Sequence, residues 1–306
     1  PSFRSAKKFC KHRFQMISTQ NNRPKASYSH NEIFLSEWIL NRDLSDIFRL
    51  NLYIQERAYV RKEEHRLSSR HGQVEFNTTF YFIHQYIKEK PLKILDIGAG
   101  TGRYSVQLCH EGHDVTAVEL VKRNLEILRK KHENIKTWNA NAVSLPFLED
   151  ETFDLTLLLG PMYHLSDFND KVKALNEAKR VTKKGGIIFI AYCMNEYSVL
   201  TYCFREKNIL KCINEKTLTD DFHGVFTEKD LYNYVRLEDI NLLNKETNSK
   251  RIKIFAPDGP ADYFRREINA LSQKEFEYFK EYILKISERP ELLGSSSHIV
   301  DVIENT

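Results

Sequence analysis

Nowhere in the 306 residues is there an uninterrupted apolar run near the roughly 20 residues that a membrane-spanning helix needs. A membrane partner is therefore not expected. Cysteine is also scarce. The five thiols, Cys10, Cys109, Cys193, Cys203 and Cys212, form no C-x-x-C pair and sit mostly within apolar segments. That excludes a disulfide scaffold and fits buried thiols in a reducing, cytoplasmic setting. The eleven histidines lack ligand spacing near a cysteine or carboxylate cluster, so no metal is expected. Acid is missing altogether from residues 1–31, which hold Arg4, Lys7, Lys8, Lys11, Arg13, Arg23 and Lys25. All 42 acidic residues lie beyond, against 39 of the 46 basic ones. A basic arm thus precedes a slightly acidic body, and the arm's Ser, Asn and Lys content with no sustained period predicts loose order. There is no internal repeat.

What is present begins with helical spacing in Ile33, Phe34, Trp38, Ile39, Leu44, Ile47, Phe48 and Leu52, which predicts packed helices after the arm. Residues 1–52 are accordingly read as arm and N-terminal helices, and residues 53–306 as one α/β domain. The domain turns on Lys93-Ile-Leu-Asp-Ile-Gly-Ala-Gly-Thr-Gly-Arg-Tyr-Ser105. Ile94 to Ile97 is short and apolar, as in a strand buried on both faces of a parallel sheet. Gly98, Gly100 and Gly102 then permit a tight turn and close ligand approach, facing the N-terminus of a helix expected from Tyr104 to His110. A dinucleotide fingerprint needs its third glycine where Arg103 stands, which weakens a pyrophosphate reading.

The string Asp96-Ile-Gly98-Ala-Gly100-Thr-Gly102 resembles motif I of the class I S-adenosylmethionine (SAM) dependent methyltransferases, matching every defined position. The resemblance implies a doubly wound, mostly parallel seven-stranded sheet with an antiparallel last strand, SAM as cofactor and S-adenosylhomocysteine (SAH) as product. Asp96, Gly98, Ala99, Gly100 and Gly102 would wrap the amino-acid end of SAM. Strand two, Asp114 to Val118, ends in Glu119, whose two oxygens could accept both ribose hydroxyls, with Leu120 beside it. Strand three, Ile135 to Trp138, leads to Asn141 and Ala142 in the position of motif III. The family usually has Asp where Asn141 stands, and Asn keeps an acceptor oxygen for the adenine amino group.

Strand four, Phe153 to Leu159, runs into Gly160-Pro-Met-Tyr-His-Leu165. The stretch resembles a bacterial small-molecule group with L-G-P-x-Y-H-L at this point, where the methyl group meets its acceptor. The N/D-P-P-Y signature of enzymes that methylate amide or exocyclic amine nitrogens is absent, since Gly160 has no side chain. Leu159 and Gly160 would touch SAM. Tyr163 and His164 would face the acceptor, His164 as a base where the acceptor must lose a proton. The same pair also fits a turn that only shapes the pocket.

Before motif I, Glu75 to Lys88 reads as an amphipathic helix, and Tyr59 and Arg66 are candidates to reach the acceptor or to lie on a solvated face. A helix from about Asp167 to Lys183, capped by Gly185-Gly186, should precede strand five, Ile187 to Tyr192. Residues 194–226 read as an insertion, Thr227 to Leu243 as a helix, Lys250 to Phe255 as strand six and Ile299 to Ile303 as strand seven. Residues 257–297 replace the usual hairpin, with helices near Tyr263 to Leu271 and Lys274 to Ile286. An antiparallel seventh strand starts at the ligand edge of the sheet, so this insert should cap the site and bring Arg289 and His298 near it. The resemblance extends through Glu288-Arg-Pro-Glu-Leu-Leu-Gly294 to His298.

The expected activity is methyl transfer from SAM to a nitrogen or oxygen of a small-molecule acceptor. RNA methylation, suggested by the basic arm, and SAM binding without transfer are the alternatives. No RNA-binding module is visible, so nucleic acid is not an expected partner. A homodimer stays open.

Overall fold

The computed structural model describes residues 69–88, 91–131 and 134–306. The expected boundary at 52/53 and the candidates Tyr59 and Arg66 lie outside the described residues. Strands β1 (Lys93–Ile97), β2 (Asp114–Val118), β3 (Lys136–Trp138), β4 (Phe153–Leu158), β5 (Thr182–Met194), β6 (Tyr234–Val235), β7 (Lys250–Phe255) and β8 (His298–Glu304) form one sheet. Its order is β3-β2-β1-β4-β5-β8-β7, with β6 paired to β5 off this path. Pairings among the first five strands are parallel, and β8 runs antiparallel to both β5 and β7. This is the expected doubly wound sheet with one additional two-residue strand.

The helices are α1 (Arg70–His84), α2 (Arg103–His110), α3 (Lys122–Lys130), α4 (Phe168–Val181), α5 (Asn195–Ser198), α6 (Ile209–Asn214), α7 (Leu237–Glu246), α8 (Arg265–Ala270), α9 (Gln273–Ile286) and α10 (Pro290–Leu293). Two apolar layers flank the sheet. One holds Leu95, Ile97, Leu158, Leu175, Ile188 and Ile190 beneath α4 and α7. The other holds Phe80, Phe82, Ile94, Leu108, Phe189 and Phe255 beneath α1 and α2, with Phe82 stacked on Phe255 at 3.9 Å between ring centroids. A further core of Val74, Ala261, Ile268, Phe276, Ile283 and Ile286 fastens the insert 257–297 to α1. Ser272 starts α9 with a reciprocal cap, its hydroxyl accepting the Glu275 N–H while Glu275 accepts the Ser272 N–H.

Two expectations need correction. Gly185-Gly186 does not cap α4; Asp167 caps the start, and the chain leaves the helix at Thr182, already in β5. Asn305 explains this. Its amide donates to Lys179 O at 2.8 Å and Thr182 O at 2.6 Å, supplying the helix-end carbonyls that a glycine turn would otherwise serve. Gly185 instead sits within the strand at φ +74°, its N–H donating to Asn305 O. The second correction concerns Thr227 to Leu243, which is not one helix. Thr227 and Asp230 close a local turn, β6 pairs with Cys193 and Met194, and only then does α7 begin. Main-chain pairing at the end of β5 overrides the local helical pattern.

Candidate functional site

The glycine turn lies at the C-terminal end of β1. Gly98 and Ala99 donate their N–H groups to Val118 O, tying the turn to the end of β2. At Gly98 φ is +77° and a Cβ would come 2.6 Å from Pro161 Cδ, so glycine lets the turn lie flat against the loop after β4. At Gly100, φ is +57° and a Cβ would meet nothing within 4 Å. There the backbone faces open space on the cavity side.

Glu119 is buried, and its carboxylate accepts the N–H of Gly100 and of Val121, each at 2.7 Å. It therefore braces the turn, while each oxygen keeps a lone pair for a further donor. Beyond it, Asn139 donates to Glu119 O and Leu120 O, and Trp138 stacks on Phe147 at 4.6 Å. Asn141 is exposed with Oδ1 accepting the Val143 N–H, and Ala142 is buried. Asp96 is buried and accepts the Ser105 hydroxyl at 2.5 Å. Burial pushes its carboxyl up to about 6, against the Ser105 hydrogen bond and with the help of nearby Glu119.

A cavity of about 330 Å³ opens on this turn, lined by Phe76, Asp96, the 98–102 turn, Arg103, Tyr104, Leu159, Gly160 and Tyr163. The structure thus brings Asp96, Gly98, Ala99, Gly100, Gly102, Leu159, Gly160 and Tyr163 together. Glu119 reaches them through Gly100, whereas Leu120, Asn141 and Ala142 lie on the adjacent loops outside this lining. The residues fit a nucleoside cofactor carrying an amino-acid tail: a backbone turn open at Gly100, a buried acid with spare acceptor capacity and aromatic walls. Charge at the turn is mixed: the carboxylates of Asp96 and Glu119 flank it, while Arg103 and Lys131 also line the cavity, Lys131 Nζ donating to Thr101 O.

A second cavity of about 240 Å³ lies beside the first and is lined by His71, Gly72, Glu75, Tyr163, His164, Cys193, Tyr197, Tyr232, Tyr234, Asp258, Asp262, Arg265, Ser297 and His298. Tyr163 borders both cavities. Its ring lies 4.8 Å from that of His164 and 6.4 Å from that of His298. His164 Nδ1 is 2.8 Å from Leu231 O, so this nitrogen bears the proton and Nε2 remains an acceptor in the neutral ring. The insert contributes Asp258, Asp262 and Arg265 to the lining of this cavity. Arg289 does not join it; the side chain is exposed and pairs with Glu291, because α10 begins at once with Pro290 and carries it away from the pocket.

Asp258 is buried and accepts the Ser296 hydroxyl at 2.6 Å, the His298 N–H at 3.3 Å and His298 Nδ1 at 2.6 Å, and it shares the single hydrogen of the Ser297 hydroxyl with Asp262 as its fourth donor. Burial works against a charge on His298, but Cys193, Asp258 and Glu75 outweigh it and hold the imidazole well above its ordinary 6.5. Burial likewise raises Asp262, yet Arg265 and His298 hold it below its usual value. Glu75, Asp258 and His298 offer ligand atoms within 4.8 Å of one another, the geometry of a cation site; the four donors already on Asp258 describe a hydrogen-bonded network. Sequence reasoning missed Asp258, Asp262 and Arg265. The one available signal was Asp258-Gly-Pro-Ala-Asp262, placed directly after the sixth strand at the ligand edge of the sheet.

Residues 95–190 match the model of a methyltransferase domain family. Among curated relatives, a demethylmenaquinone methyltransferase of Renibacterium salmoninarum is 32% identical over 32% of this chain and 40% of its own. A ubiquinone biosynthesis O-methyltransferase of Pelagibacter ubique is 33% identical over 33% of this chain and 42% of its own. The chain spans about two-fifths of the length of these relatives. Among solved structures, a Pyrococcus horikoshii protein superposes with a TM-score of 0.53 at 17% identity, covering 80% of this chain and 99% of its own. A SAM-dependent methyltransferase of Thermotoga maritima gives 0.50 at 22% identity, covering 83% and 99%. The fold of the sheet is shared with these two solved structures. Among the described residues no helix is long and apolar enough to cross a membrane.

Proposed function

We propose that this chain, built on a class I SAM-dependent methyltransferase fold, transfers a methyl group from SAM to a nitrogen or oxygen of a small-molecule acceptor. The observation that carries the reading is Tyr163, which walls the cavity over the glycine turn on one side and the insert-capped cavity on the other. SAM supplies a methyl group already bonded to a positively charged sulfur. The protein's part is therefore chiefly placement of the nucleophile in line with that group, a proximity and orientation effect. The 98–102 turn and Glu119 would hold the cofactor, with Leu120, Asn141 and Ala142 around its adenosine. Tyr163 and His164 would align the acceptor, and the insert would exclude water from the junction. A cavity of about 240 Å³ suits a small acceptor better than a folded macromolecule.

Two measurements test the reading. Calorimetry should show SAM and SAH binding and no binding of NAD. Transfer of a labelled methyl group should then be followed against a panel of amines, phenols and carboxylates in parallel with total RNA. Label in RNA alone would favour RNA methylation, and SAM binding without transfer to any acceptor would favour a sensor. NAD binding with no SAM binding would overturn the cofactor assignment.

A further inference from the structure

Three imidazoles, His71, His164 and His298, line the acceptor cavity, and they are held differently. His71 Nδ1 lies 3.0 Å from Ser69 Oγ and 3.3 Å from Asn269 Oδ1, with no carboxylate on it among the described residues. His164 donates Nδ1–H to a main-chain carbonyl, Leu231 O. His298 donates Nδ1–H to a carboxylate, Asp258, that is itself fixed by Ser296, Ser297 and the His298 backbone N–H. We propose that His298 is the catalytic base, accepting the acceptor's proton at Nε2, and that Asp258 is the residue that positions it. The proposal rests on the methyltransferase reading of the previous subsection.

The tautomer follows from chemistry. A carboxylate can only accept, so the nitrogen 2.6 Å from Asp258 Oδ2 carries hydrogen, and the neutral ring leaves its lone pair on Nε2. The Asp258 side chain is almost wholly buried at 3% exposure, while that of His298 keeps 19% and lines the cavity. A buried carboxylate behind a pocket-facing imidazole both fixes the ring and stabilises the imidazolium that forms, the division of labour of an Asp–His pair. Sequence placement reinforces it. His298 opens β8 directly opposite Cys193 near the end of β5, so the ring is carried by the rigid sheet. In the transfer, the acceptor's lone pair forms the bond to the methyl carbon as the carbon–sulfur bond breaks toward sulfur. The acceptor N–H or O–H proton passes to His298 Nε2, leaving methylated acceptor, SAH and imidazolium.

The groups facing His298 come from every neighbouring element. They are His71 and Glu75 from α1, Cys193 from β5, Tyr197 from α5, Tyr232 and Tyr234 at β6, Tyr163 and His164 from the turn after β4, and Asp258, Asp262 and Arg265 from the insert. Burial opposes a charge on the ring, and Cys193, Asp258 and Glu75 together outweigh it and favour the imidazolium. The base is therefore strong, matched to an amine or hydroxyl acceptor, and it is free to accept a proton only above its raised pKa. The turnover rate should accordingly climb with pH along a limb whose midpoint lies above 6.5.

The test uses the full chain saturated with SAH or SAM. Without any acceptor, NMR of the ring nitrogens should show His298 as the Nδ1–H tautomer when neutral, titrating above 6.5, with the midpoint lowered by about one pH unit or more in Asp258→Asn. With the most active member of the acceptor panel, His298→Gln should lower kcat by about 100-fold or more while the KM for SAM stays within about threefold. Asp258→Asn should move the acid limb of kcat to lower pH, and His164→Gln should leave that limb in place. An Nε2–H tautomer, a midpoint that Asp258→Asn does not move, or an acid limb that survives His298→Gln would overturn the proposal. Calorimetry keeps the two readings apart: loss of SAH binding in the wild type refutes the methyltransferase reading, whereas SAH binding with any of those three results refutes the base alone.

Discussion

The Cα of Gly98 faces the ring of Pro161 so closely that one added carbon would lie 2.6 Å from Cδ and 2.8 Å from Cγ. The turn after β1 and the loop after β4 are thus pressed together at the floor of the cavity over the glycine turn, and a side chain at either face would part them. Gly98→Ala adds that carbon at φ +77°, and should cost about 1–3 kcal/mol of stability. Chemical denaturation measures the loss. Calorimetry should show SAH binding weakened at least about tenfold, because the turn that receives it is displaced.

Glu119→Ala removes the acceptor for two backbone N–H groups, Gly100 and Val121. SAH affinity should fall by about 1–3 kcal/mol, read by calorimetry. Glu119→Gln keeps one acceptor oxygen and should lose less.

The pH dependence of stability should carry the signature of Asp96, whose carboxyl rises from 3.8 when unfolded to about 6 when folded. Below 3.8 both states are protonated and the fold bears no cost. As pH rises from 3.8 to 6 the unfolded state ionises first, so stability is lost through this window and levels off above it. Comparison with Asp96→Asn cancels the other groups. The stability of Asp96→Asn relative to the wild type should rise with pH across that window by about 3 kcal/mol, at 1.36 kcal/mol per pKa unit. A flat difference would show that Asp96 is not held protonated.

Tyr163→Phe alters the wall between the cavities, His164→Ala alters the lining of the second cavity, and both leave the glycine turn intact. Methyl transfer should drop by about tenfold or more while SAH affinity changes by less than about threefold. Rates with the most active panel member and calorimetry on the same samples check both halves.

Phe255→Ala is the control for the fold. Phe255 is fully buried and stacked on Phe82, so its removal should destabilise the domain by about 3–5 kcal/mol. The effect should appear in denaturant unfolding with SAH absent.

The grouping around the glycine turn is legible in sequence because it is local. Asp96, the three glycines and Glu119 sit on adjacent strand ends, and strand–turn–helix order alone brings them together. The placement of residues 257–297 at that edge of the sheet follows from the direction of an antiparallel last strand. What escaped depends on partners far along the chain. Asn305 satisfies the end of α4 across more than 120 residues, so the glycines at 185–186 were misread as a cap. The turn at Asp230 and the pairing of β6 hid within a helical pattern. Asp258 looks like any loop acid until Ser296, Ser297 and His298, some forty residues on, fold around it.

The shared wall at Tyr163 has a thermodynamic consequence. A ligand that shifts this ring from one side reshapes the wall met by a ligand on the other, so SAH and an acceptor should bind with linked affinities. Linkage makes that coupling reciprocal: the factor by which SAH changes the affinity for the acceptor is the factor by which the acceptor changes the affinity for SAH.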